Sequence, residues 1–106
     1  MFYMAYAIGT TSADNEDITS DLKAATVLAD VDNDQHPFAI MSLQLETTQK
    51  TGVSINGGDY IELKEVAIDT ETTVYRYEIP KSALMRIKTV EIEDTGTSWS
   101  VVFQYQ

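Results

Sequence analysis

The sequence predicts an all-β protein: a single antiparallel β-sandwich of six to eight strands over residues 37–106, preceded by an acidic N-terminal arm, residues 1–36, with room for a short helix. Three observations lead there. Short runs between Phe38 and Tyr105 alternate apolar and polar residues with period two, the pattern of strands that bury one face. Turn-forming residues interrupt those runs at short intervals, as in small all-β domains. A chain of 106 residues without Cys fits one domain, which buries roughly two-thirds of its unfolded surface and needs no disulfide to stay folded.

The elements follow in order. Met1 to Gly9 is apolar and aromatic, ends at Gly9-Thr10-Thr11 and reads as an edge or docking strand. It lacks the basic start and longer apolar run of a secretory signal. Residues 10–36 are acidic, with Asp14, Glu16, Asp17, Asp21, Asp30, Asp32 and Asp34 against Lys23 alone. Ile18, Leu22, Ala25 and Ala29 recur at helical spacing, and Ser20 is placed to cap a short helix from Asp21. An extended arm fits equally, because Thr26-Val27-Leu28 and Val31 are β-branched or apolar.

From Phe38 to Glu46 the alternation puts Ala39, Met41, Leu43 and Leu45 on one face and Phe38, Ile40, Gln44 and Glu46 on the other. Val53-Ser54-Ile55 leads into Asn56-Gly57-Gly58, the strongest hairpin signal in the chain, since these residues accept positive φ. Tyr60 to Leu63 runs back, continuing through Val66 and Ile68. Val74 to Ile79 is a strand that Pro80 ends. Ser82-Ala83-Leu84 reads as one helical turn, and Ile87 to Glu93 alternates with Val90 and Ile92 inward. Asp94-Thr95-Gly96-Thr97 turns the chain into Ser98–Tyr105, where Trp99, Val101, Phe103 and Tyr105 share a face.

Composition narrows the function. With 17 acidic against seven basic residues the formal net charge is -10, which argues against a nucleic-acid partner. No Cys excludes thiolate metal sites and cysteine nucleophiles. No apolar stretch approaches the roughly 18 residues of a membrane span, so no membrane partner is expected. Phosphate-cradling loops and nucleophile elbows do not occur, and the lone His36 has no nucleophile motif beside it. No cofactor and no enzymatic activity are expected.

Asp30, Asp32 and Asp34 have the opening spacing of a Ca²⁺ loop, but Gln35 and Met41 stand where that loop needs Gly and Glu. A solvated acidic turn is the simpler reading, with a weak Ca²⁺ site as the alternative. Tyr60, Tyr75, Tyr77 and Trp99 are candidates for a sugar-stacking platform, although Trp99 aligns with core residues. Four of the seven basic residues, Arg76, Lys81, Arg86 and Lys88, fall close together and form a candidate patch for an acidic arm of a neighbouring subunit.

The segment from Thr51 onward resembles small β-sandwich domains of tailed-bacteriophage virion proteins, of the capsid-decoration, head-fibre and tail-anchoring kind. The likeness lies in the order Thr51-Gly52-Val53-Ser54-Ile55-Asn56-Gly57-Gly58, a tyrosine-bearing strand, Ile79-Pro80-Lys81-Ser82-Ala83-Leu84, the acidic strand Val90-Glu91-Ile92-Glu93 and the closing Val101-Val102-Phe103-Gln104-Tyr105. It implies a structural job in a virion, with a homo-oligomer or other capsid or tail subunits as partners. Phe2, Tyr3, Tyr6 and Ile8 are then the docking anchors, because an exposed apolar strand is otherwise an aggregation hazard. Removing residues 1–9 is expected to abolish assembly and spare the fold. The alternatives are a carbohydrate-binding module, Ca²⁺-assisted or not, and an acidic inhibitor that mimics DNA.

Overall fold

A computed structural model describes residues 3–32, 37–48, 50–68 and 71–105, with the backbone alone at Tyr3 and Asp32. Phe2, Asp34 and His36, singled out above, lie outside the described residues. In chain order the elements are β1 (Tyr3–Thr10), β2 (Glu16–Asp17), α1 (Thr19–Asp32), β3 (Phe38–Thr47), β4 (Gly52–Ile55), β5 (Ile61–Glu62), β6 (Lys64–Ile68), β7 (Thr73–Pro80), α2 (Lys81–Leu84), β8 (Val90–Ile92) and β9 (Ser98–Tyr105). Strands hold 52% of the described residues and form two antiparallel sheets, of order β1-β9-β3-β7-β6 and β2-β8-β4-β5.

The closing amphipathic strand becomes an inner strand of the larger sheet. Three rungs cross β7, β3 and β9: Ile79–Met41–Phe103, Tyr77–Leu43–Val101 and Tyr75–Leu45–Trp99. Met41, Leu43, Leu45, Val101 and Phe103 are fully buried, as the period-two pattern expects. Val53, Val90 and Ile92 of the smaller sheet join the same buried cluster. Phe38 departs from its expected face. The register slips by one residue between Phe38 and Ile40, and this bulge turns Phe38 inward, where its ring stands edge-on to Phe103 at 4.8 Å.

Helical spacing wins in the acidic segment. Ile18, Leu22, Ala25 and Ala29 are all buried, and α1 is longer than the short helix expected, at 14 residues. Burying a side chain the size of Ile18 or Leu22 contributes about 1.5–3 kcal/mol, enough to override the β-branched residues between them. The helix starts earlier than the Ser20 reading. The Asp17 carboxylate accepts the Thr19 backbone N–H at 2.8 Å and the Thr19 hydroxyl, so Asp17 does the capping. Residues 1–36, read as an arm, supply a strand to each sheet and α1 to the core.

The hairpin signal is realised locally. Asn56 and Gly57 have φ of 55° and 74°, and the Gly58 N–H closes the turn on the Ile55 carbonyl at 3.1 Å. The returning segment differs from the single strand expected. Only Gly52–Glu62 and Val53–Ile61 pair in the smaller sheet. The chain then crosses at the buried Leu63 into the larger sheet as β6, where Lys64 pairs with Arg76.

Candidate functional site: an open sheet edge

Two sheets present four edges, and their residues differ sharply. β2 is Glu16-Asp17, while β5 is Ile61-Glu62 with Glu62 paired to Lys50. β6 carries Lys64 and Glu65 and is bulged between Glu65 and Ala67. Short length, charge and bulges are how proteins stop edges from recruiting further strands. β1 has one such device, a register shift between Ala5 and Ile8. Its eight residues, Tyr-Met-Ala-Tyr-Ala-Ile-Gly-Thr, contain no charge and no Pro. Among the described residues β1 pairs on one side only, with β9.

The β1 side chains divide by face. Tyr6 points inward, its ring edge-on to Phe103 at 5.4 Å and its hydroxyl 3.4 Å from that of Tyr105. Gly9 lies under the buried indole of Trp99, where only a residue without Cβ fits. Ile8 is 83% exposed, and Met4 is also exposed. The residues read as docking anchors are thus split: Ile8 faces solvent, Tyr6 serves the core, Tyr3 begins the strand, and Phe2 lies outside the described residues.

α1 lies against β1. Ala7 to Thr10 of the strand share a groove of about 290 Å³ with Ala24 and Leu28 of the helix. Ala24, Leu28 and Val31 fall at i, i+4 and i+7, a second stripe beside the buried one, with Leu28 and Val31 exposed. This stripe lies outside the residues singled out from the sequence, although its spacing is legible there. On the outer face of the larger sheet Ser100 and Val102 of β9 lie beside Gln44 and Ser42 of β3, with Glu46 opposite Ser98 and with Arg76 and Glu78 on β7.

The other sequence candidates are dispersed. Arg76 sits on that outer face, whereas Lys81 lies near α1, 3.2 Å from Asp30 and 4.4 Å over the Phe38 ring. An acidic-segment carboxylate thus meets a residue of the basic cluster within one chain. Lys81, Asp30 and Lys23 rim an apolar groove of about 440 Å³ between α1 and α2. Arg86 and Lys88 are exposed in the loop before β8. Asp32 ends α1, and among the described residues no three His, Cys, Asp or Glu side chains gather as metal ligands. Tyr75 and Trp99 are buried, and Tyr77 packs against the core. The more exposed Tyr60 donates its hydroxyl proton to Asn15; burial and the carboxylates of Glu91 and Glu93 push its phenol pKa up.

The chain matches no protein-family model, no curated protein and no solved structure. Its chemistry therefore has to be read from the edge itself. A strand edge offers a row of backbone N–H and C=O groups, and what it takes up is another strand.

Proposed function

We propose that this protein is a non-enzymatic structural component that acts by protein–protein assembly, as a capsid-decoration, head-fibre or tail-associated protein of a virion. In this reading the two sheets are the layers of one antiparallel β-sandwich. The observation that carries it is β1: an eight-residue, uncharged sheet edge with Ile8 83% exposed, in a chain of net charge -10. A soluble protein that leaves such an edge uncovered aggregates, so its retention points to a dedicated partner. The virion setting comes from the resemblance of the segment beginning at Thr51.

Point substitutions test this better than truncation, because removing residues 1–9 also removes Tyr6 from the core. Antiserum against the chain is applied to a density-fractionated lysate of the producing cells. The chain is expected in the particle band, and the Ile8→Lys variant in the soluble fraction. A chain wholly soluble while particles band separately overturns the reading.

A further inference from the structure

We propose that the occupant of the β1 edge is a second copy of this chain, related by a two-fold axis normal to the larger sheet, so that β1 pairs antiparallel with β1. This rests on the reading of β1 as an assembly edge and names its partner.

Charge selects the surface. Two copies of a chain with net charge -10 repel one another, so they associate where neither carries charge. β1 has no charged residue, and the exposed stripe beside it, Ala24, Leu28 and Val31, is apolar; Glu16 and Asp21 line the groove only toward the start of α1. The edges at β2, β5 and β6 all bring acidic groups.

Symmetry makes the two observations one surface. An axis normal to the sheet keeps both copies' inner faces on the same side. Since α1 packs on β1, extending the sheet through β1 brings the two α1 helices together across the axis. Leu28 and Val31, 51% and 70% exposed in the single chain, then cover one another above the new strand pair. The alternative, β1 adding to β6 of the next copy, is a head-to-tail contact, which gives a ring where the rotation closes and a filament where it does not. The charges and bulge of β6 oppose it.

The test is the solution mass of the full chain by light scattering across a concentration series. The wild type is expected at twice 11.8 kDa, and Ile8→Lys/Leu28→Lys at 11.8 kDa with an unchanged circular dichroism spectrum. Ile68→Lys, exposed on the opposite edge, is expected to leave the dimer intact. A wild type that is monomeric at every concentration, or a dimer that survives the double substitution, overturns the proposal. The sequence has no Cys, so single cysteines placed in turn at Met4, Ala5, Ala7 and Ile8 report on the axis directly. Directly opposed residues have Cβ atoms about 4.5–5.5 Å apart, and one position is expected to form a homodisulfide. Crosslinking only between Ile8→Cys and Ile68→Cys chains overturns self-pairing. A monomer that still bands with particles, and loses this on Ile8→Lys, overturns self-pairing while leaving the assembly reading intact. A monomer that stays soluble overturns both.

Discussion

The Tyr105 hydroxyl donates a hydrogen bond of 3.0 Å to the Ala29 carbonyl. Ala29 belongs to the last four residues of α1, whose carbonyls have no partner within the helix. The phenol also lies 3.4 Å from the Tyr6 hydroxyl. One buried group on β9 therefore meets β1 and the helix that lies against it, and fixes the two parts of the proposed interface relative to each other.

Tyr105→Phe keeps the ring and removes that donor. One buried hydrogen bond to the Ala29 carbonyl is then lost, at a cost of about 0.5–1.5 kcal/mol. Urea denaturation is expected to show a lower midpoint with an unchanged slope. An unchanged midpoint would mean that the hydroxyl does not hold the helix end.

Gly9 is required by a close approach. A Cβ at this position would sit 2.8 Å from Trp99 Nε1, and the buried indole would have to shift to admit it. Gly9→Ala is expected to destabilise by about 1–3 kcal/mol through overpacking. Trp99 is the sole tryptophan, so its fluorescence is expected to shift in the folded variant as well. An identical emission spectrum and melting curve would disprove the contact.

Much of this fold was legible because single elements carry their own periodicity. Trp99, Val101, Phe103 and Tyr105 alternate without interruption, and the strand and its buried face follow. Ile18, Leu22, Ala25 and Ala29 do the same for α1. Phe38 was misassigned because parity counting assumes an unbroken register, and one bulge reverses every residue beyond it. The crossing at Leu63 was invisible because Ile61, Leu63 and Val66 read as one apolar run, and nothing local says which sheet each half joins. The pairing β1-β9-β3 joins the two ends of the chain, which no local pattern encodes. At the candidate site, an uncharged apolar run in an acidic chain marked β1. Tyr6 keeps the inward parity of Met4, whereas the register shift between Ala5 and Ile8 turns Ile8 to the outer face, and the role of Leu28 depends on α1 lying against β1.

Lys64 and Arg76 face each other directly across β6 and β7. Like charges in this position are destabilising, and the buried Arg76 Nε has no hydrogen-bond partner among the described residues. Lys64→Glu replaces the repulsion with an ion pair and is expected to stabilise by about 0.5 kcal/mol. The gain in urea midpoint is expected at low salt and to shrink in high salt, where exposed charges are screened. A loss of stability at low salt would contradict the register.

Asp17 couples the start of α1 to β8. The Thr19 hydroxyl donates to the Asp17 carboxylate and accepts the Val90 N–H at 2.8 Å. The Thr19 hydroxyl, then its backbone N–H, hold the Asp17 carboxyl below the usual carboxylate range. A group whose folded pKa is depressed adds stability above its unfolded pKa and loses it as pH falls through the folded value. Asp17→Asn is therefore expected to be less stable than the wild type at neutral pH. The difference should narrow below the ordinary carboxylate pKa, as the wild-type group takes up its proton. Thermal melts of both proteins along a falling pH series check this. A gap that stays constant into strong acid would show that the ionised form of Asp17 has no special place at the helix start.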